Sequence, residues 1–256
     1  MKMIILAAGQ GKRLRPITNN IPKCMVSLHQ KPLIEWQIEN AKKLGINKIL
    51  ITGGYRADQI NSLDNQLLIN QDYESTNMVY TLWCAREFIH SDLIISYGDI
   101  YYERRLLEQI KQSDNDISVA IDKDWLSYWK MRIDDPTQDA ESLKLDRDNN
   151  IQEIGQPILN VSEVDGQYVG LMKFSEHGSS MLYNTLEFIQ KEKISINGRD
   201  FGKMYMTDVI NYMIHQGITI KAIPINRGWV EIDNKTDLDL AIEISYIEKD
   251  ELRIRN

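Results

Sequence analysis

The chain is poor in cysteine and has no long apolar run. Its 256 residues include two cysteines, Cys24 and Cys84, which stand far apart and outside any CxxC or Cys/His spacing. This excludes a disulfide scaffold and a structural zinc site, and favours a reducing compartment. The apolar segment 3–8 is too short for a signal peptide, and no other segment could span a bilayer. We therefore expect a cytoplasmic protein that does not contact membranes.

Proline and glycine are also scarce, with 6 and 14 residues, and no segment is of low complexity. Hydrophobic residues make up 43% of the chain and charged residues 26%, which is typical of an ordinary globular protein. Disordered and fibrous classes are excluded. Because α/β domains often reach roughly 200–250 residues, we expect one domain over 1–256.

Excess positive charge is confined to the N-terminal quarter. Residues 1–60 contain 10 Lys/Arg and 3 Asp/Glu, whereas residues 61–256 contain 20 and 34. The whole chain carries a net charge of −7, so unspecific binding of nucleic acid is not expected. A basic N-terminal segment in an acidic protein instead predicts a small phosphate-bearing ligand.

The order of apolar runs predicts an α/β fold with a mixed, mostly parallel, Rossmann-like sheet flanked by helices. Strands are predicted at 2–6, 48–52, 93–97, 117–121, 218–223 and 228–232. Helices are predicted at 32–44, after a cap at Ser75 or Thr76, and at 103–112, 176–191, 204–215 and 235–249. Turn residues between 143–145, 151–154 and 168–174 predict antiparallel strands, and hence a small lobe at 123–170.

A glycine-bearing loop follows the first predicted strand. It runs Leu6-Ala7-Ala8-Gly9-Gln10-Gly11-Lys12-Arg13-Leu14-Arg15-Pro16, and Pro22-Lys23 comes next. Small residues let backbone N–H groups approach phosphate oxygens, and the basic side chains supply positive charge. Arg13 stands where a P-loop needs Ser or Thr, and Leu14 where a dinucleotide fingerprint needs Gly or Ala. The loop is therefore a phosphate loop of another kind.

This loop resembles the signature of the nucleotide-sugar pyrophosphorylase-like nucleotidyltransferases. The matching residues are Leu6, Ala7, Ala8, Gly9, Gly11, Arg13, Leu14, Pro16, Thr18, Pro22 and Lys23. The similarity continues through Gly53-Gly54-Tyr55, Ser96-Tyr97-Gly98-Asp99 and Trp229-Val230-Glu231-Ile232-Asp233, and so covers most of the chain. It implies a GT-A-like nucleotidyltransferase fold.

The resemblance also implies roles for individual residues. Arg13 and Lys23 would be catalytic. Nucleotide binding would involve Leu6, Ala7, Ala8, Gly9, Gly11, Gly54, Thr76, Asn77 and Gly98. Mg²⁺ would be held by Asp99 and by the late acidic pair, with Asp233 as ligand and Glu231 as its support, or with these two roles exchanged. For Thr76 and Asn77, capping of a helix is an equally good interpretation.

Within that family the sequence is more similar to the small cytidylyltransferases, which implies CTP as the nucleotide. The acceptor would be phosphoglutamine, phosphocholine or 2-aminoethylphosphonate, and phosphoglutamine of capsule phosphoramidate synthesis is the first choice. The resemblance places the acceptor side at 123–170. The acceptor-binding candidates are Lys123, Trp125, Trp129, Arg132 and Tyr168. Lys123 and Arg132 would clamp the phosphorus group or a carboxylate.

Two interpretations remain open in this acceptor segment. The aromatic residues Trp125, Tyr128 and Trp129 would either cage an ammonium group or anchor the lobe by packing. Thr207 would either face the acceptor or cap a helix, and the cap is slightly favoured.

The expected activity is Mg²⁺-dependent transfer of CMP to a small phospho- or phosphono-metabolite for a cell-surface polysaccharide, with release of pyrophosphate, by a monomer or homodimer. The alternatives are a sugar-1-phosphate nucleotidyltransferase and, in another class, a glycosyltransferase. A silent nucleotide sensor is disfavoured because the basic and acidic candidates are all present. A glycosyltransferase has no need of Arg13 and Lys23 on a leaving pyrophosphate, and Gly98-Asp99-Ile100 is not an Asp-x-Asp pair.

Overall fold

The fold is built around a seven-stranded sheet whose first strand is buried on both faces. A computed structural model describes residues 1–60 and 65–255. The strands of this sheet are β1 (Lys2–Ala7), β4 (Lys48–Gly53), β5 (Gln66–Ile69), β6 (Leu93–Tyr97), β8 (Ile117–Asp122), β11 (Gln167–Phe174) and β12 (Lys221–Ile225). Ile4 and Ile5 are both fully buried although their side chains alternate across the sheet. A continuous apolar strand of this kind belongs in the middle of a covered sheet.

The strand order is β12-β8-β11-β6-β1-β4-β5. β1 pairs in parallel with β4 and with β6, β4 with β5, and β12 with β8. β11 pairs antiparallel with both β6 and β8. The mixed, mostly parallel sheet is therefore confirmed, and its one reversed strand comes from the middle of the chain.

Helices cover both faces of the sheet. Their bounds are α1 (Leu33–Lys43), α2 (Met78–Cys84), α3 (Arg104–Lys111), α4 (Trp125–Arg132), α5 (Glu176–Lys191), α6 (Met206–His215) and α7 (Lys235–Ile244). One apolar cluster joins Ile5 to side chains of α1, α3, α4 and α7. The other joins Ile4 to side chains of α2, α5 and α6. The result is a three-layer α/β arrangement, and none of the described helices combines the length and apolarity needed to cross a bilayer.

Besides the central sheet, the described residues form four two-stranded sheets. They are β2 (Ser27–Leu28) with β3 (Lys31–Pro32), β7 (Ile100–Tyr102) with β13 (Trp229–Glu231), β9 (Glu141–Leu145) with β10 (Ile151–Pro157), and β14 (Ser245–Glu248) with β15 (Glu251–Ile254). The β9–β10 pair lies within the predicted lobe, as the turn residues between its strands indicated. β11 begins in that segment and continues into the central sheet.

The predicted helix at 235–249 is wrong in its last third. α7 ends at Ile244, and Ser245 is extended with φ −115° and ψ 160°. The chain then turns into β14 and β15, whose Leu252 is 1% exposed and whose Leu252 carbonyl accepts a hydrogen bond from the Tyr101 hydroxyl. Burial of this terminal strand outweighs the helical spacing that suggested a longer helix.

The start of α2 also differs from the prediction. Its N-cap position is Asn77, and neither Ser75 nor Thr76 caps the helix. α2 ends at Cys84, and a 3-10 turn over Arg86–Phe88 follows it. The Thr76 hydroxyl donates instead to the Asp72 carbonyl at 2.8 Å, so local turn hydrogen bonds use the group that was expected to cap the helix.

Truncation of the buried terminal strand tests this C-terminal packing. We expect Leu252→Ala to lower the free energy of unfolding by about 2–4 kcal/mol, because a fully enclosed leucine leaves a cavity. Ile247, its cross-strand neighbour, is 50% exposed, so Ile247→Ala should change that free energy by less than about 0.5 kcal/mol. Urea denaturation of both variants measures the difference, and equal effects would contradict the observed packing.

Candidate active site

The phosphate loop leaves β1 at the carboxyl edge of the sheet and folds back on itself. Gly11 adopts φ +63°, and a Cβ there would lie 3.0 Å from Thr18 Cγ2. The Thr18 hydroxyl donates to the Gly11 carbonyl at 2.7 Å, and the Lys23 backbone N–H donates to the Gly9 carbonyl at 3.2 Å. These bonds bring Lys23 back beside the start of the loop.

Asp99 follows β6, the strand next to β1. The two strands approach closely at their carboxyl ends, because the Gly98 N–H donates to the Leu6 carbonyl at 2.9 Å and a Cβ on Gly98 would lie 2.9 Å from the same oxygen. Gly98 therefore permits the approach that places Asp99 beside the phosphate loop.

Glu231 reaches the same place through a second pairing. β7 starts immediately after Asp99, and its Ile100 is paired with Glu231 of β13. The Ile232 N–H donates to the Asp99 carbonyl at 3.1 Å. This register sets the late acidic pair next to Asp99, although 132 positions separate Asp99 from Glu231 in the sequence.

Asp99, Glu231 and Asp233 form a carboxylate cluster. Each offers one oxygen, and these oxygens all lie within 4.8 Å of one another. Asp99 Oδ1 is buried and has no hydrogen-bond partner among the described residues. Three converging carboxylates are an oxygen donor set suited to a hard divalent cation such as Mg²⁺. The geometry therefore fits a metal site.

Cations balance this cluster. Lys23 Nζ donates to Asp99 Oδ2 at 2.7 Å and also to Asp233 Oδ1, and Arg13 Nη2 lies 3.1 Å from Asp233 Oδ2. Burial alone would lower the pKa of Lys23, but the carboxylates outweigh it and the pKa lies above its ordinary value. Burial also raises the pKa of Asp233, an effect that Lys23 and the two nearby arginines reverse, so the net shift is downward. Attraction to these cations stabilises the charged form of the carboxylates.

Two cavities meet at Asp99. The smaller, of about 170 Å³, is lined by Leu6, Ala8, Gly9, Tyr73, Thr76, Asn77, Met78, Thr81, Tyr97 and Asp99. The larger, of about 350 Å³, shares Met78, Tyr97 and Asp99 with it and extends past the carboxylate cluster to β9, β11 and α6. An arrangement of this kind can hold two ligands whose reacting ends lie at the cluster.

Comparison with known proteins identifies the family. The family model described as nucleotidyl transferase matches residues 2–125. Over 254 residues, the chain is 37% identical to the CTP:phosphoglutamine cytidylyltransferase of Campylobacter jejuni subsp. jejuni serotype O:2, covering 95% of this chain and 100% of that protein. The chain belongs to the nucleotidyltransferase family.

Two further relatives extend the comparison. The choline-phosphate cytidylyltransferase of Streptococcus pneumoniae is 39% identical over 117 residues, which are 44% of this chain and 51% of that protein. The solved structure of CTP:phosphocholine cytidylyltransferase from Streptococcus pneumoniae superposes with a TM-score of 0.72 at 24% identity, covering 95% of this chain and 98% of that chain. That likeness shows that the fold is shared. Membership of the nucleotidyltransferase family excludes the glycosyltransferase alternative.

Not every predicted nucleotide-binding residue of this nucleotidyltransferase lines the smaller cavity. Leu6, Ala8, Gly9, Thr76 and Asn77 do. Ala7, Gly11, Gly54 and Gly98 lie outside the lining of both cavities that meet at Asp99. A Cβ on Gly54 would lie 2.6 Å from Tyr73 Cβ, so this glycine permits close packing behind the cavity wall.

Thr76 and Asn77 stand at the smaller cavity without capping α2. Asn77 Nδ2 donates to the Lys203 carbonyl at 2.7 Å, and Thr76 Oγ1 accepts from Asn70 Nδ2 at 3.0 Å. Asn77 therefore occupies the N-cap position of α2, but neither its side chain nor that of Thr76 makes a capping hydrogen bond. Their contacts tie the start of the helix to two other segments and leave both residues on the cavity wall.

The structure divides the predicted acceptor residues. Trp129 and Tyr168 line the larger cavity. Lys123 is exposed and Trp125 is 3% exposed, and neither contributes to the cavity lining. The Arg132 side chain, which is 6% exposed, also lies outside the lining, where it bonds Glu231 and Asp237. The expected clamp of Lys123 and Arg132 is thus not assembled.

The aromatic cage is not formed either. Trp125 and Trp129 pack edge to face at 5.7 Å, and Tyr128 packs against Trp229 at 5.6 Å. The face of Tyr128 is already in contact with a cation, since Arg227 lies 4.0 Å from its ring centroid. These three aromatic residues therefore pack the lobe together. Of the three, Trp129 alone also lines the larger cavity.

Sequence reasoning did not select Glu141 and slightly favoured a helix cap for Thr207, but both residues line the larger cavity. Burial, and secondly the nearby Asp208 carboxylate, raise the pKa of Glu141 above its ordinary value. Thr207 hydrogen-bonds the Glu141 side chain and does not cap α6, whose N-cap position is Tyr205. Glu141 lies within 123–170, which the resemblance placed on the acceptor side, and that was the signal available for choosing it.

Two glycines of the site provide a matched test of its backbone. Gly98→Ala should lower the free energy of unfolding by about 1–3 kcal/mol, because its Cβ would meet the Leu6 carbonyl and Ala7. A Cβ on Gly9 would have no neighbour within 4 Å, and Gly9 has no positive φ. Gly9→Ala should therefore change the free energy of unfolding by less than about 0.5 kcal/mol. Thermal or urea unfolding compares them. Equal stability of the two variants would contradict the close approach of β1 and β6.

Proposed function

We propose that this nucleotidyltransferase transfers CMP from CTP to a small phosphorylated or phosphonate metabolite and releases pyrophosphate. The observation that carries the proposal is the meeting of the two cavities at Asp99, beside the phosphate loop and the carboxylate cluster. The Campylobacter relative named for CTP and phosphoglutamine matches over nearly the whole chain, which makes phosphoglutamine the first acceptor to test. With that acceptor, the enzyme would act in the cytoplasm and supply a precursor for a cell-surface polysaccharide.

Asp99, Asp233 and Glu231 are the residues proposed to hold Mg²⁺. The fit rests on their three converging oxygens and on the unpartnered, buried Asp99 Oδ1. When bound there, Mg²⁺ would offset the negative charge of the α-phosphate. Asp233 and Asp99 already share a cation in Lys23, which supports them as the direct ligands, with Glu231 beside them.

Arg13 and Lys23 are proposed to stabilise the triphosphate and the departing pyrophosphate. Arg13 is 66% exposed at its side chain and lies at the rim of the larger cavity, so it can reach a ligand. Lys23 is tethered through its backbone to Gly9 while its ammonium stands among the carboxylates. Charge placed in advance at a site of developing negative charge lowers the barrier without a proton transfer.

The reaction proposed is an in-line displacement. An oxygen of the acceptor phosphate or phosphonate forms a bond to the α-phosphorus, the bond from that phosphorus to the bridging oxygen breaks, and pyrophosphate leaves with the electron pair. Because the acceptor oxygen is already anionic near neutral pH, the protein need only position it. In agreement, no histidine lines either of the two cavities in the described part of the chain.

The segment 123–170 is proposed as the acceptor-side lobe of a single domain. It contributes Trp129 of α4, Glu141 of β9 and Tyr168 of β11 to the larger cavity. The smaller cavity, with Thr76 and Asn77 on its wall, is left for the base and ribose of the nucleotide. The acceptor therefore lies on the far side of Asp99 from the nucleoside.

The charge of the larger cavity supports an acceptor that carries an ammonium group. Arg13, at the rim, is the one Lys or Arg side chain in its described lining, and Asp139 and Glu141 add two carboxylates beyond the metal cluster. Asp139 accepts a hydrogen bond from Trp129 Nε1 at 3.1 Å and lies 3.8 Å from Arg132 Nη1, whereas Glu141 is held by Thr207. Phosphoglutamine, phosphocholine and 2-aminoethylphosphonate all carry such a cationic group.

Pyrophosphate release with Mg²⁺ tests the proposed function. The assay crosses the four nucleoside triphosphates with phosphoglutamine, phosphocholine, 2-aminoethylphosphonate and glucose-1-phosphate. We expect release with CTP and one small acceptor. Asp99→Ala and Lys23→Ala should each lower kcat at least about 100-fold without unfolding, because each removes charge from the reacting centre.

Asp92→Ala is the matched control for Asp99, since Asp92 is exposed and precedes the same strand at its opposite end. Its rate should equal that of the unmodified enzyme. Release with glucose-1-phosphate alone would establish the sugar-1-phosphate alternative. No release with any pair, or near-normal rates after Asp99→Ala, would refute the proposal.

Glu141→Gln tests recognition of the ammonium group. Loss of a charged hydrogen-bond partner costs about 1.5–3 kcal/mol, so the KM for an amino-bearing acceptor should rise about 10- to 100-fold. The KM for CTP should not change. Glu163→Gln, on an exposed residue of the same lobe, is the control and should behave as the unmodified enzyme. Equal acceptor KM values for the two variants would remove Glu141 from the acceptor site.

A further inference from the structure

Arg132 is a buried cation at the end of α4 that bonds two different carboxylates at once. Its Nη1 donates to Glu231 Oε2 at 3.1 Å, and its Nε and Nη2 donate to the two oxygens of Asp237 at 3.0 and 3.4 Å. The guanidinium also lies 5.1 and 5.4 Å from the ring centroids of Trp129 and Tyr128. Its side chain is 6% exposed and is held by these two carboxylates and two rings.

Asp237, which Arg132 holds, in turn fixes the backbone at Asp233. Asp237, 1% exposed at its side chain, accepts the backbone N–H of Asp233 at 3.0 Å and that of Asn234 at 3.2 Å through Oδ2. The backbone at Asp233 is therefore held by a carboxylate that Arg132 itself holds. One guanidinium thus orients Glu231 directly, and it acts on Asp233 both through Asp237 and through its own ion pair with Asp233 Oδ2 at 3.7 Å.

The position of Arg132 separates it from Lys23 and Arg13. Those two cations belong to the phosphate loop and to the segment hydrogen-bonded to it, and they are proposed to stabilise substrate phosphates. Arg132 instead ends α4 and, like Lys23, lies outside the lining of both cavities. Its hydrogen bonds to Glu231 and to both oxygens of Asp237 hold it to the carboxylates. A buried partner of this kind can hold Glu231 and Asp233 in place while the other two cations stabilise substrate phosphates.

We propose that Arg132 is a positioning residue that sets the metal affinity of the carboxylate cluster and does not bind the acceptor. This inference rests on the proposed function, since it takes the cluster to be a metal site. Arginine is suited to the role because its planar fork has five donors and can bond two carboxylates in fixed directions, which a lysine ammonium cannot do. Partners behind metal ligands typically contribute about 10- to 100-fold in affinity.

Mn²⁺ binding to the enzyme alone, measured by electron paramagnetic resonance, tests the inference without reference to turnover. We expect Arg132→Met to weaken Mn²⁺ binding at least about 10-fold, and Arg132→Lys to weaken it about 3-fold because the charge stays but the fork is lost. Simple electrostatics predicts the opposite sign, since removal of a nearby cation should tighten metal binding. Unchanged or tighter binding in Arg132→Met would overturn the inference.

Arg227→Met controls for loss of a buried arginine. Arg227 also packs on Tyr128 and is 7% exposed, but its carboxylate partner is Asp122, at 2.8 Å, outside the cluster. It should lower the melting temperature and leave Mn²⁺ affinity within about 2-fold. Arg132→Lys preserves the charge and decides the question if Arg132→Met fails to fold, because unweakened Mn²⁺ binding in that variant overturns the inference.

Two further measurements separate the possible failures. Asp99→Ala should abolish Mn²⁺ binding, and if it binds Mn²⁺ as the unmodified enzyme does, then the metal site of the proposed function is wrong. If Asp99→Ala loses Mn²⁺ but the Arg132 variants do not, this inference alone fails. A raised KM for the acceptor with unchanged Mn²⁺ affinity in Arg132→Lys would instead support Arg132 as an acceptor clamp.

Discussion

Repulsion among three carboxylates is the constraint on which the site depends. Asp99, Glu231 and Asp233 offer oxygens within 4.8 Å of one another, an arrangement that costs free energy unless cations balance it. Lys23 and Arg132 supply much of that balance. Because one cation follows β1 and the other ends α4, the charge balance ties distant segments of the chain together. The ion pairs that shape the site therefore also join the segment after β1 to α4 and to the residues around β13.

Strand pairing determines where the carboxylates lie. β1 and β6 are parallel neighbours, so the phosphate loop and Asp99 emerge at the same edge of the sheet. The β7–β13 pair then continues past that edge and sets Glu231 opposite Ile100. Each of these steps is a backbone hydrogen-bonding register, which is why residues far apart in sequence can be placed to within a few ångströms.

The acceptor side depends on the reversed strand. β11 enters the sheet between β6 and β8, and its first residues, with Tyr168, form part of the wall of the larger cavity. α4 serves two purposes there, since Trp129 faces the cavity while Arg132 supports the carboxylates from behind. The two functions lie on one short helix, so the lobe that is proposed to hold the acceptor is physically connected to the metal ligands.

The sequence by itself determined the parallel sheet, the phosphate loop and the family, because apolar runs, small residues and a loop signature are local features. Its residues also indicated Asp99, Lys23 and Asp233, which the structure brings together. Only the tertiary structure decided that Arg132 faces carboxylates and that Glu141 faces a cavity, because both outcomes depend on partners from other elements. The C-terminal strand is a similar case: Leu252 is buried through packing that no local spacing encodes, and that burial ended the helix at Ile244.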